Sequence, residues 1–370
     1  KAIVAVETNL FRTYHPCKKY LFILHHTENV YGGLEHLNCS LNMVPRWNYL
    51  PRDKYMQTMS LLSHEYFHLW NVKRIRPVEL GPFDYQNENY TRQLWAIEGV
   101  TSFYDDYFLY LSGVSTIAEY LKTVSDNINT VENTPGDAYQ TLAESSFDAW
   151  IKYYRRNENT HNNQVSYYVK GATVVTALNL LILKATNAEQ SMDDVMRALN
   201  RRYLQNPEKG YTEDELLEVC ETVAGIPLKE FFDAHIFGNE PIDYNEYLSL
   251  AGLHLHNNNK DEYQIGWTLT NKEGKYIISK VDNDSSAALA GLNAEDEVLA
   301  INGFRINAQW ERSLFDKSAG NDIDLIVSRY GIIRNITMEL QESHQKNYVV
   351  RTDKSPSPDQ VKIRKAWLSS

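Results

Sequence analysis

The chain has 370 residues, more than one hydrophobic core usually organises, and its 43% hydrophobic and 23% charged residues are the balance of an ordinary globular protein. No apolar run reaches the length of a membrane span. A net charge of −11 argues against a dedicated nucleic-acid binder, which needs a Lys/Arg surplus on some face.

Cys17, Cys39 and Cys220 are too few and too scattered for a disulfide framework or a cysteine zinc site, and they read as buried thiols. The opening KAIVAVETNLF has no Met, no basic n-region and no apolar h-region. It reads as a fragment whose targeting region is not visible, so the compartment, cytoplasmic or periplasmic, stays open.

In chain order, KYLFILHH (19–26) and EHLNCSLNMV (35–44) have the character of strands, with Gly32 and Gly33 between them. From Lys54 the spacing of Met56, Met59, Leu62 and Phe67 predicts a helix, and Pro77 ends the segment after it. A second, buried helix is expected over 91–111. Residues 112–251 read as almost wholly helical, with helices at 171–185, 191–204 and 212–225, the last opened by a capping box from Thr212 to Glu215. Beyond them, Gly266, Gly274, Gly291 and Gly303 punctuate β-branched runs, the mark of a small separate β-rich domain. From about Glu342 the chain is a polar, Pro/Ser-containing segment expected to run over the surface. The expected divisions are therefore 1–112, 113–252, 253–342 and a tail, 343–370.

The chemistry gathers at SLLSHEYFHLW (60–70). Residues four apart share one helix face, so His64 and His68 can aim at one point with Glu65 beside them. A chance H-E-x-x-H is expected in roughly 0.02 chains of this composition. Zinc suits such a pair if a third ligand leaves room for water, whose proton an adjacent carboxylate can take. Glu98, in the apolar stretch LWAIEGV, is the candidate, because a bare carboxylate there is costly to bury and ligation offsets that cost. Asp105 and Asp106 could orient a ligand histidine, but a solvated pair of charges is the favoured reading; Lys73, Arg74 and Arg76 could pair with a substrate carboxylate or acidic neighbours, the favoured role being fixed ion pairs that hold the helix end.

H-E-x-x-H followed by E-G on the next helix resembles the gluzincin metallopeptidases, the group of thermolysin and aminopeptidase N. GGLEH (32–36) resembles the G-x-M-E-N segment of aminopeptidase N relatives. That resemblance implies backbone pairing of substrate at Gly32 and Gly33 and capture of the α-amine by Glu35. SYYVKG (166–171) resembles the Y-x-K-G signature, whose spacing assigns the oxyanion-stabilising hydroxyl to Tyr168 rather than Tyr167.

Over nearly the whole chain the order of GGLEH, WNVKRIRP, W-x-x-E-G, Y-x-K-G and a C-terminal PDZ-like stretch resembles the glycyl aminopeptidase family, metallopeptidase family sixty-one. His36 replaces the Asn of aminopeptidase N, and the gap from His68 to Glu98 is longer than in that enzyme. The resemblance implies an α+β fold: a thermolysin-like zinc peptidase catalytic domain, a mostly helical second domain closing the cleft, and a PDZ domain. It further implies one Zn2+ per chain on His64, His68 and Glu98, with Glu65 as base and a peptide with a free N-terminus as substrate, Gly or another small residue being released. The amino-terminal β domain of family members is expected to be missing. QIGW (264–267) stands where PDZ domains bind a carboxylate, so Ile265, Gly266 and Trp267 are expected to receive a peptide C-terminus. Two rivals remain, a zinc endopeptidase of the same clan and an inactive scaffold presenting the PDZ domain.

Overall fold

The computed structural model describes residues 1–13, 15–260, 263–314 and 322–368. A helix, α1 (Ala2–Leu10), precedes a three-stranded sheet of order β1–β3–β2, with β1 at Leu21–Thr27, β2 at Gly32–Glu35 and β3 at Cys39–Pro45. β1 runs parallel to β3, and β2 antiparallel to it with Gly33 opposite Asn42. Gly32 and Gly33, expected between two strands, therefore form an edge strand themselves. A Cβ at Gly33 would stand 2.2 Å from Glu65 Oε1, so a side chain there would displace that carboxylate. The next helix, α2 (Arg52–Phe67), lies against this sheet and buries Leu61 and the run Ser63–Phe67. Leu21, Ile23 and Leu34 stay exposed on the sheet, and Leu37 in the connection between β2 and β3.

The helix expected over 91–111 starts later and is not uniform. Trp95–Gly99 forms a wide π turn, and only then does α3 (Val100–Leu111) follow. Helices α4 (Ile117–Glu132), α5 (Leu142–Phe147), α6 (Thr160–Asn163), α7 (Val169–Ala185), α8 (Met192–Gln205), α9 (Glu213–Ala224), α10 (Lys229–His235) and α11 (Tyr244–Ser249) complete the helical part. Reciprocal capping boxes open several of them, among them Thr116 with Glu119 and the predicted Thr212 with Glu215. Gly225, at φ 69°, closes α9 in the left-handed conformation that suits glycine. Nearly every side chain of α7 from Lys170 to Leu183 is buried. Its approach to the π turn is so close that a Cβ on Gly99 would lie 2.6 Å from Gly171 Cα, and one on Gly171 would lie 2.7 Å from Gly99 Cα.

One hydrophobic core runs from Leu10 through Phe67, Trp70, Phe108 and Leu180 to Leu253, so no break in the core falls at 112/113. Each fully buried side chain of that size contributes roughly 2 kcal/mol. Strand β4 (Leu253–Asn257) belongs to this core rather than to the β-rich domain after it, because it pairs with a late strand, Tyr348–Thr352. The expected surface tail is likewise corrected. Pro358–Leu368 forms a helix that buries Ile363 and Trp367 in the same core, and the apolar residues spaced through this polar stretch are what dock it. Of the cysteines only Cys220 is buried; Cys17 and Cys39 are half-buried, and all are free thiols.

The β-rich part has its own core around Ile278, Val298, Ile301, Leu325 and Val327. It comprises β5 (Tyr263–Gln264), β6 (Trp267–Lys272), β7 (Lys275–Val281), α12 (Ser286–Leu289), β8 (Glu297–Ile301), β9 (Phe304–Arg305), α13 (Trp310–Leu314), β10 (Asp322–Arg329), β11 (Ile332–Glu339) and β12 (Gln341–Glu342). Its main sheet has the order β11–β10–β8–β7–β6, which leaves β6 at an edge. It meets the helical part at α6, where Asn162 donates to the Val281 carbonyl and accepts from the Asn283 amide. No helix among the described residues is long and apolar enough to cross a membrane.

Candidate metal and peptide site

Helix α2 brings the two histidine rings to a centroid distance of 4.6 Å with planes at 89°. Each ring is fixed through its Nδ1. His64 donates to Asp105 Oδ2 at 2.9 Å, and His68 donates to the Asn71 carbonyl at 2.7 Å. Both Nε2 atoms therefore turn to Glu98 Oε2, at 3.0 Å from His64 and 3.2 Å from His68. Ligands about 2.0–2.1 Å from a tetrahedral zinc stand about 3.3 Å from one another. The donor set thus fits such an ion in chemistry and in spacing, all three atoms lying within 4.8 Å of each other.

Asp105 corrects the expectation of a solvated charge. It is buried on α3 and holds the His64 ring, the role that was the less favoured of its two readings. Asn71 gives the NVKRIRP run part of its meaning. Its carbonyl holds His68, while its side-chain amide donates to the Ala96 and Ile97 carbonyls and to Thr101 Oγ1 at 3.0–3.2 Å. A π turn shifts the usual i→i−4 pairing, and Asn71 binds the carbonyls on that turn, so one residue positions both His68 and the turn that carries Glu98.

Burial disfavours charge on both histidines, but Asp105 and Glu98 outweigh it for His64, and Glu98 does so for His68, raising both above the usual imidazole value. Burial also pushes Glu98 up, yet the two histidines hold its carboxyl well below the usual range. Glu65, on the same helix but facing Gly33, is pushed up to about 7 by burial, and its Oε2 has no hydrogen-bond partner.

Tyr168 caps α7 and reaches the site because Gly99 and Gly171 let α7 meet the π turn backbone to backbone. Its hydroxyl is 3.3 Å from that of Tyr154. Burial raises it well above the usual phenol value, so the group remains a proton donor at neutral pH. Tyr167, by contrast, is buried in the core. A cavity of about 360 Å3 is lined by Gly32, Gly33, His64, Glu65, Tyr154 and Tyr168, bringing strand, metal helix and α7 together. Tyr154 had no sequence signal beyond being one tyrosine among many.

Glu35, at the end of β2, completes a second cluster in which its carboxylate, that of Glu65 and a His68 nitrogen lie within 4.8 Å of one another. Lys73 Nζ stands 3.0 Å from Glu35 Oε1. Of the three cations expected to hold the helix end, only Arg74 does so directly, by donating to the Leu69 carbonyl at 2.6 Å. Arg76 is buried without a carboxylate partner among the described residues, its guanidinium 5.7 Å from the Phe83 ring. Ile265, Gly266 and Trp267 lie in the C-terminal β domain, outside both clusters. Gly266 has φ 77°, its carbonyl accepts from the Asp282 amide at 2.7 Å, and Trp267 begins β6 with its ring 5.9 Å from that of Trp310.

A histidine pair one helical turn apart, a carboxylate in reach of both and a strand edge unpaired among the described residues are the features of a metallopeptidase, and the comparisons support that class. Within it, residues 57–174, which carry His64, His68, Glu98 and Tyr168, match the family model of the M61 glycyl aminopeptidases. The fold is similar to the crystal structure of an aminopeptidase N family protein from Idiomarina loihiensis, with a TM-score of 0.89 and 28% identity, over 100% of this chain and 65% of that one. The chain thus spans 65% of that relative's length. Yeast LTA4 hydrolase in complex with bestatin gives 0.40 and 14% identity over 66% of this chain and 34% of that one. The PDZ domain of EpsC from Vibrio cholerae gives 0.18 and 18% over 21% of this chain and 78% of that one. Neither of these two likenesses bears on function. No curated protein matches the chain in sequence.

Proposed function

We propose that the chain is a zinc-dependent aminopeptidase, releasing Gly or another small residue from a peptide with a free N-terminus. The observation that carries the reading is Glu35, a carboxylate at the end of an edge strand and within 4.8 Å of both Glu65 and a ligand histidine. His64, His68 and Glu98 would hold one Zn2+ per chain, and the bound ion would supply Lewis acidity toward the scissile carbonyl and water.

The chain's own residues do the rest. Backbone groups of Gly32 and Gly33 on the free edge of β2 pair with the peptide, and Glu35 takes its α-ammonium. Glu65 accepts a proton from the attacking water and passes it to the leaving amine, a task suited to a carboxyl whose pKa stands near 7. Tyr168, protonated at neutral pH, donates to the oxygen on which negative charge develops. The same reading takes 1–112 as the thermolysin-like catalytic part, 113–252 as the helical part that closes the cleft while sharing its core, and the β-rich part of 253–342 beyond β4 as a PDZ domain. Its Ile265–Trp267 loop and the edge of β6 would accept a peptide C-terminus.

An endopeptidase is the reading that a specific observation favours in second place, because Glu35 is already paired with Lys73. Aminoacyl-anilides and peptides with free and acetylated N-termini separate the two. The aminopeptidase requires a free amine, about one zinc per chain, and a loss of about 10²–10⁴-fold in kcat for Glu65→Gln with zinc retained. Equal cleavage of acetylated peptides would establish the endopeptidase, and a wild type no faster than Glu65→Gln would leave only a scaffold.

A further inference from the structure

Lys73 and Arg76 come a few residues after the metal helix, and both turn to the same aromatic ring. Lys73 Nζ lies 4.9 Å from the Phe83 centroid and the Arg76 guanidinium carbon 5.7 Å from it. Lys73 is also 3.0 Å from Glu35 Oε1, with only 11% of its side chain exposed. Arg76 is 9% exposed and its Nε has no hydrogen-bond partner. Two largely buried cations therefore share the Phe83 ring, and of the two only Lys73 has a carboxylate partner among the described residues.

A substrate ammonium that takes Glu35 must share that carboxylate with Lys73 or displace it. Either way a cation in a partly buried place loses its counter-charge, and this is costly unless the incoming molecule replaces it. The group nearest an α-amine that can do so is the side chain of the same N-terminal residue.

The geometry points to Lys73 and Arg76, stacked about Phe83, as a cationic subsite that selects peptides whose N-terminal residue is acidic over those whose N-terminal residue is basic. This rests on Glu35 reading the free amine. Glycine brings no side chain to the subsite, so the inference concerns which residues other than glycine are accepted. An aspartate or glutamate carboxylate restores the partner that Lys73 gives up and supplies the one Arg76 lacks. A lysine or arginine side chain adds a like charge to two already present.

The test is the ratio of kcat/KM for matched substrates beginning with Asp and with Lys, measured on the full-length protein. Wild type is expected to favour Asp by about tenfold or more, the size of a charge-assisted hydrogen bond in a partly buried site. Lys73→Gln and Arg76→Gln should each lower the ratio, Lys73→Glu should invert it, and Lys73→Arg should largely keep it. Unchanged melting temperature and zinc content exclude misfolding as the cause. A wild-type ratio near one, or a ratio unmoved in Lys73→Gln on an enzyme that still demands a free amine, overturns the subsite alone. Equal cleavage of acetylated peptides overturns the amine site and the subsite together.

Discussion

At the ligand end of the site, each group that positions a donor is itself held. Asp105 and the Asn71 carbonyl fix the two rings, and the Asn71 amide fixes the π turn that carries Glu98. At the other end Glu35 is paired with Lys73, and Arg76, which shares the Phe83 ring with Lys73, has no carboxylate partner among the described residues. The proposed function accounts for the difference. A metal site works when its donors converge before the ion arrives, whereas a site that admits a charged substrate must be able to give up a contact it already makes. The first is built from buried helices in close contact, the second from a strand edge and a loop.

Substitutions that break the rigid end sharpen this contrast. The largest effect is expected where α7 meets the π turn. In Gly171→Val the new Cβ would fall 2.7 Å from Gly99 Cα, and since that neighbour is backbone, a loss of about 1–3 kcal/mol or more is expected in urea unfolding. Activity should fall further than stability, because Tyr168 and Glu98 sit on the two segments pushed apart.

Asp105→Asn should leave the fold intact and weaken zinc binding about 10–100-fold in competition with a chelator. The same assay run over a range of pH should show affinity declining as the solution becomes acid. His64 and His68 both have raised values, so protons compete with the metal from a higher pH than for a free imidazole. If Asp105→Asn bound zinc as tightly as wild type, the contrast between a fixed and an exchangeable end would lose its main support.

The smallest effect lies behind the metal helix. Glu7 of α1 is fully buried, accepts from Ser63 Oγ at 2.9 Å, and has a second oxygen without a partner. Burial raises its carboxyl well above the usual value. Between the usual and the raised value the folded chain keeps a proton that the unfolded chain has lost, so this group makes stability fall as pH rises through that window. Glu7→Gln should raise the melting temperature at pH 8 more than at pH 5. An equal shift at both would mean that Glu7 is not held neutral.

Periodicity in the sequence was enough to place α2, the helices from 171 to 225 and the character of the C-terminal β domain, because apolar spacing and caps are local properties. H-E-x-x-H is local too, since one helix fixes where His64, Glu65 and His68 point. The cost of burying a bare carboxylate singled out Glu98, and the resemblance added Glu35 and Tyr168, whose positions in the chain give no hint that they meet it. It did not decide for Asp105 the histidine-orienting role that the sequence offered second to a solvated charge, because burial there depends on how α3 packs on other helices. Nor did it reach the double duty of Asn71, the docking of 348–368 in the main core, or the pairing of Glu35 with Lys73.

By itself, then, the sequence determined which residues could carry metal and proton chemistry, for that depends on residue type and on spacing within one helix. The tertiary structure decided how those residues are held and charged. Burial, counter-charges and the glycine-to-glycine contact that brings Tyr168 to the site arise only between segments distant in the chain.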